Sequence, residues 1–179
     1  LLRSSEEKLE RAVRERTAEL EAANAQLQVL GHTDGLTGLA NRRLFDQTLA
    51  RAFSTEAGQH VALIMLDVDY FKPYNDHYGH LAGDHCLQQL AQVLAGQAAP
   101  LPHALAARYG GEEFAIIVIR SSTDEVSALA EGVHAGVLAL ALPHRGAPAG
   151  MVTISLGVAQ WMPNAGCCPS PQALIQQAD

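Results

Sequence analysis

The spacing of apolar positions changes character once along the chain, at Gly31. Before it, Leu2, Glu6, Leu9, Val13, Arg16, Leu20, Ala23, Leu27 and Leu30 alternate in steps of four and three, and seven of these nine are apolar. A narrow seam of that period, bordered by charges, predicts a coiled-coil stalk over residues 1–30, paired with a parallel second copy. Glu6 and Arg16 weaken the seam, and a single amphipathic helix lying on its own domain is the alternative. Gly31 is expected to end this helix.

After Gly31 the pattern alternates between helix and strand. Asn41 is a candidate N-cap for a helix from Arg42 to Phe53, with Leu44, Phe45, Leu49 and Phe53 at helical spacing. Val61 to Leu66 is an unbroken apolar run closed by Asp67, as in a strand buried on both faces. His80 to Leu94 is a helix with Leu81, Leu87, Leu90, Val93 and Leu94 on one side. Ala106 to Tyr109 and Phe114 to Ile119 flank Gly110-Gly111 as a hairpin. A helix from Thr123 to Leu142, started by Thr123 or Asp124, a strand from Val152 to Ala159 and a helix beginning near Pro171 complete the order. Pro143–Gly150 and Met162–Pro171 read as loops. A strand-helix-strand-strand-helix-strand core is the split βαβ plan of ferredoxin-like folds, an α/β (α+β) class with a mainly antiparallel sheet.

Composition narrows the choice. With 179 residues, 48% of them hydrophobic, the chain can bury one core and carry something extra. Its net charge of -7, from 19 acidic and 12 basic residues, disfavours nucleic acid as a partner. A bound divalent cation would still allow a small anionic ligand. The three cysteines, Cys86, Cys167 and Cys168, have no framework spacing, which fits a reducing cytoplasm. No apolar stretch is long enough to span a bilayer. The opening Leu1-Leu2-Arg3, without Met or a signal-peptide pattern, reads as the start of an excised fragment, so any membrane tether would lie upstream.

The candidate chemistry lies at strand ends. Asp67 follows the apolar strand, Asp69 comes two residues later, and Glu112 and Glu113 follow the Gly-Gly turn. If the hairpin pairs beside Val61–Leu66, Asp67 meets one of the glutamates, a hard oxygen pair suited to Mg²⁺. Taken alone, the turn reads equally well as an ordinary hairpin with two solvated glutamates. Asn75 and Asp76, with Gly79-His80 and Gly83-Asp84 beyond them, can offer an amide and a carboxylate to a guanine edge, or act only as turn residues. Lys72 and nearby N–H groups can face phosphates. His77, His80 and His85 do not share one helical face, and no Cys or Glu completes a zinc set.

Taken together, these segments resemble the GGDEF family of diguanylate cyclases. Asp34-Gly35-Leu36-Thr37-Gly38-Leu39-Ala40-Asn41-Arg42-Arg43 looks like the family's opening segment. Asp67-Val68-Asp69-Tyr70-Phe71-Lys72, with Asn75-Asp76, Gly79-His80 and Gly83-Asp84, looks like its central signature. Arg108-Tyr109-Gly110-Gly111-Glu112-Glu113-Phe114 looks like the signature loop in GGEEF form. The resemblance covers residues 31–179, and the stalk resembles the signalling helices that often precede the domain.

The resemblance implies a palm-like nucleotide-cyclase fold and the conversion of two GTP to cyclic di-GMP and two pyrophosphates. By carry-over, Asp67, Glu112 and the Val68 carbonyl would bind Mg²⁺ or Mn²⁺, two ions per site. Glu113 would help hold the second ion or activate the 3′-hydroxyl. Asn75 and Asp84 would read guanine beside Leu87, while Lys72 and the backbone at Tyr70-Phe71 would contact phosphates. The implied partners are GTP, a second copy through the stalk and an upstream sensor or receiver domain. A non-catalytic GTP-binding module and a pure dimerisation or relay element remain alternatives.

Two departures stand out. Leu101-Pro102-His103-Ala104 occupies the window where the family's product-inhibition motif, RxxD, would end, so no feedback through that site is expected. The family continues past an Ala-Asp pair, here Ala178-Asp179, into a helix with a phosphate-contacting Lys and Arg. A protein ending at Asp179 is expected to bind GTP weakly and turn over slowly.

Overall fold

The computed structural model describes residue 16 and residues 31–54, 59–162 and 170–179. The expected coiled coil lies outside the described residues except for Arg16, which is helical, and so does residues 163–169 of the second expected loop. The chain divides into two units, Leu1–Thr33 and Asp34–Asp179. Gly31 and His32 are both helical, so Gly31 does not end the run as expected. A glycine stops a helix only where it takes a left-handed φ, and Gly31 does not.

The second unit is organised by strand β2, Val61–Val68. Strand β4, Glu113–Ile119, and strand β5, Ile154–Trp161, both pair with it antiparallel. Strand β3, Ala104–Gly110, pairs antiparallel with β4, and the short β1, Ala40–Asn41, runs parallel to β3. The sheet order is β1-β3-β4-β2-β5. β2 therefore reaches β3 by a crossover that leaves room for β4 between them, the split βαβ arrangement of a mainly antiparallel ferredoxin-like sheet.

Helices cover both faces, which is why β2 reads as continuous apolar sequence rather than an alternation. On one face, Ala62, Ile64, Leu66 and Val68 pack with Phe114, Ile116 and Val118 against three helices: α2 (Phe71–Tyr78), α3 (His80–Ala98) and α4 (Thr123–Ala139). On the other, Val61, Leu63 and Met65 pack with Ala115 and Ile117 against α1 (Arg42–Ser54) and α5 (Pro171–Ala178). Each fully buried Leu or Ile contributes about 1.5–3 kcal/mol, so both layers are firmly held. Among the described residues, no helix is long and apolar enough to cross a membrane.

Local signals set the helix ends. Asn41 Oδ1 accepts from Leu44 N–H, as expected of an N-cap. Ser170 caps α5 with Pro171 in the first turn. The cap of α4 is Ser122 rather than Thr123 or Asp124, because Ser122 and Glu125 form a reciprocal capping box. α4 ends at Ala139, three residues early, and β5 starts two residues after the expected Val152. α2 was not expected: it is short, polar and contains Pro73, but a proline is tolerated in a first turn where no N–H partner exists. Leu81, expected on the apolar side of α3, is 79% exposed because it sits in the first turn, ahead of the stretch that meets the sheet.

Candidate functional site

The ladder register brings Asp67 directly opposite Glu113 on β4 and Ser155 on β5. All three line a cleft of about 270 Å³ together with Gly157 and the Ala178-Asp179 end of α5. A side chain at Gly157 would strike the Ala178 carbonyl, so the glycine lets α5 end against the carboxylates. Burial, then the charges of Glu112, Glu113, Asp69 and Asp179, push the Asp67 carboxyl above its ordinary pKa. A divalent cation would relieve that repulsion, and the donors are hard oxygens of the kind Mg²⁺ prefers. Among the described residues, no three His, Cys, Asp or Glu side chains converge on one point as a ready-made metal cage. Val68 turns its side chain into the core, leaving only its backbone to reach a ligand.

The hairpin differs from expectation in one detail. β3 continues through Gly110, with an irregularity between Arg108 and Gly110, and the turn is Gly111-Glu112. Gly111 has φ of 51°, a conformation that a side chain disfavours. Glu112 thus belongs to the turn and Glu113 to the strand. Glu113 is the residue across from Asp67, whereas Glu112 borders a second cleft on the α2–α3 side.

This second cleft, about 370 Å³, gathers Phe71, Lys72, Asn75, Asp84 and Leu87, all assigned to the nucleotide by sequence. Asp76, His80, Arg108 and Gly111 complete its wall. Leu87 is buried at its base, while Asp84 and Lys72 are exposed. Asn75 Oδ1 is buried without a hydrogen-bond partner, and a Cβ on Gly83 would come within 1.9 Å of it. Because nothing holds that oxygen, the amide can present either end to a ligand without losing a hydrogen bond. Tyr70, outside this lining, is 55% exposed and takes a left-handed φ of 54° at the N-cap of α2. The Phe71 and Lys72 N–H groups start that helix, where N–H groups lack intrahelical acceptors and attract anions.

Arg108 braces the turn. Its Nε and Nη2 donate to the Gly111 carbonyl at 2.9 and 2.8 Å, and its Nη1 reaches Asp34 at 3.2 Å. Asp34 also accepts from the Thr37 N–H and hydroxyl at 2.9 and 2.7 Å. Burial acts to raise the Asp34 carboxyl, but these hydrogen bonds and the guanidinium charge outweigh it and hold the pKa below its ordinary value. Asp69 accepts from Thr153 Oγ1 at 2.5 Å and Ser155 Oγ at 2.6 Å, which fixes the end of β2 to the start of β5. Sequence reasoning assigned no role to Asp34, Arg108, Thr153 or Ser155. Apart from the local bonds of Arg108 to the Gly111 carbonyl and of Thr37 to Asp34, their partners are 74 to 86 positions away, and no local periodicity encodes such pairings.

The geometry agrees with what the chain is similar to. Residues 31–179 match the family model described as "Diguanylate cyclase, GGDEF domain". Diguanylate cyclase VdcA of Vibrio cholerae is 40% identical over 148 residues, which is 82% of this chain and 41% of that protein. Response regulator PleD of Caulobacter vibrioides is 36% identical over 156 residues, 84% of this chain and 33% of that protein. The chain thus spans less than half the length of these two relatives. Among solved structures, the coiled coil and GGDEF domain of DgcB from Caulobacter crescentus, in complex with c-di-GMP, superposes with a TM-score of 0.78 at 36% identity. That match covers 96% of this chain and 90% of the other. From the paired carboxylates, the Gly-Gly hairpin and these matches together, the chain belongs to the GGDEF family of diguanylate cyclase domains.

Proposed function

We propose that this chain joins two GTP molecules into cyclic di-GMP with release of two pyrophosphates. The observation that carries the reading is Asp67 opposite Glu113 at the same sheet end as a cleft bearing Asn75, Asp84 and Glu112. The Asp84 carboxylate accepts from the guanine N1–H and N2–H, and Asn75 pairs with the base beside Leu87. Lys72 and the Phe71 and Lys72 N–H groups receive phosphate oxygens. Diguanylate cyclases of this family use a divalent metal ion. Here Asp67, Glu112 and the Val68 carbonyl would hold Mg²⁺ or Mn²⁺, with Glu113 sharing a second ion. The metal, when bound, acidifies the attacking hydroxyl and offsets charge on the leaving pyrophosphate.

In each transfer the 3′-oxygen forms a bond to the α-phosphorus, the bond from that phosphorus to pyrophosphate breaks, and the hydroxyl proton passes towards Glu113. One domain holds one GTP, so two copies must face each other with antiparallel nucleotides. Residues 1–30, as a parallel coiled coil, would raise the local concentration of the partner domain and relay an upstream sensor or receiver. The site of action is the cytoplasm, where GTP is available. With Leu101 to Ala104 in place of RxxD, inhibition by product at that position is not expected.

The test is incubation with GTP and Mg²⁺, followed by chromatography. Cyclic di-GMP should appear with the unaltered chain and vanish with Glu113→Gln. GTP binding without product would instead favour the regulatory module, and absence of both would favour the dimerisation element.

A further inference from the structure

Among the described residues, His144 is the polar side chain that is wholly buried, at 0% exposure. It lies in the loop between α4 and β5, 74 positions from the residue it meets. Its Nδ1 accepts from the Gly146 N–H at 3.2 Å, so the ring proton sits on Nε2. Nε2–H then donates to the Tyr70 carbonyl at 3.0 Å. The same carbonyl accepts from Tyr74 N–H at 3.1 Å, the first hydrogen bond of α2. Both lone pairs of one oxygen, at the residue with φ of 54°, are therefore engaged.

The rest of the loop docks on the same helix. His144 meets the Tyr74 ring edge-on at 5.1 Å, and Arg145 N–H donates to the Tyr78 hydroxyl at 3.1 Å. A Cβ on Gly146 would come within 3.2 Å of Pro73. Within the loop itself the imidazole serves only the Gly146 N–H, through Nδ1. A buried polar side chain costs free energy unless paired, and this one is paired to hold another residue's backbone.

We propose that His144 is a positioning residue for the phosphate end of the nucleotide site. A left-handed tyrosine is strained and persists only when its surroundings fix it. The hydrogen bond from His144 fixes the Tyr70 carbonyl, which shares one planar peptide group with the Phe71 N–H, and so fixes the direction of that N–H and the start of α2 that carries the Lys72 N–H. Asp69, held by Thr153 and Ser155, fixes the preceding residue. The inference rests on the GTP reading of the site and adds to it a residue that touches no ligand.

The test compares GTP, measured with Ca²⁺, against guanosine, which has no phosphates, by calorimetry and by amide shifts of α2 and α3. His144→Phe keeps a ring but removes both the Nε2 donor and the Nδ1 acceptor of the Gly146 N–H, whereas His144→Gln returns an N–H at similar reach. GTP affinity should fall about two- to twelvefold in His144→Phe, the range of one lost neutral hydrogen bond, with guanosine affinity unchanged. His144→Gln should recover most of the loss. Tyr78→Phe, which loosens the loop without touching Tyr70, should lower the melting temperature and leave the GTP-to-guanosine ratio intact. Equal losses for both ligands in His144→Phe, or the same ratio change in Tyr78→Phe, would overturn the inference. Absence of GTP binding by the unaltered chain would overturn the nucleotide reading and the inference with it.

Discussion

Replacing Gly83 by alanine should separate stability from ligand binding. Gly83 lies inside α3 without a positive φ, so alanine suits its backbone and gains about 1 kcal/mol of helix propensity. The new methyl would stand 1.9 Å from Asn75 Oδ1, 3.0 Å from its Cγ and 3.2 Å from Phe71 Cζ. The first contact is intolerable and the second tight, so the amide must rotate away. That movement breaks no hydrogen bond, because Oδ1 has none. Phe71 needs to yield only a few tenths of an ångström. Folding stability should therefore stay within about 1 kcal/mol of the unaltered chain. Binding should not survive so well. Losing the Asn75 contact leaves a polar edge of the base unpaired, a penalty of about 1–3 kcal/mol, or roughly five- to 150-fold in Kd. Thermal denaturation and GTP calorimetry in Ca²⁺ measure the two effects. Asn75→Ala removes the colliding group, so adding Gly83→Ala to it should cost no further affinity. The reasoning fails if Gly83→Ala binds GTP within twofold of the unaltered chain, or if the second substitution deepens the loss.

Arg108→Met should destabilise the domain by about 1 kcal/mol, since it removes the guanidinium from the exposed Gly111 carbonyl and from Asp34, which keeps its Thr37 hydrogen bonds; Arg108→Lys should recover little, because an ammonium cannot span both as the guanidinium fork does. Chemical denaturation checks both. Asp34 has a folded pKa below its unfolded one, so its contribution is present above the ordinary carboxylate pKa of about 3.9 and fades as pH falls through the folded value. Asp34→Asn should lower stability at neutral pH and flatten the acid limb of the stability curve below about pH 4. Asp67 has the opposite sign: burial first, and then repulsion from Glu112, Glu113, Asp69 and Asp179, raises its pKa, so its charge is unfavourable in the folded chain at neutral pH. Asp67→Asn should melt at a higher temperature than the unaltered chain in chelator, while Mn²⁺ should raise the melting temperature of the unaltered chain and not of the variant.

How much of this was legible follows from the range of the interactions. β2 and its neighbours were readable because a strand buried on both faces needs an unbroken apolar run, and Val61–Leu66 is one. The expected meeting of Asp67 with a glutamate follows from the hairpin pairing beside that strand. Which glutamate was not readable, since it depends on where the turn begins, and a one-residue shift moves Glu112 from strand to turn. α2 escaped notice because eight residues with a proline carry no periodicity strong enough to register. His144 and Arg108 escaped for a different reason. Each acts on a carbonyl oxygen, a group every residue has, so nothing in the sequence marks the recipient.

The parity of β2 has a practical consequence. Its odd positions lead to Asp67 and the α5 side, while the second cleft is walled by α2 and α3 on the opposite layer, with Arg108, Gly111 and Glu112 of the hairpin at its edge. The sheet insulates one set of side chains from the other along its whole length and lets them meet only at the strand's exit. On the proposed reading, the base-facing side chains of Asn75, Asp84 and Leu87 can be redesigned for another purine while Asp67 and Glu113 on the other layer are left as they stand.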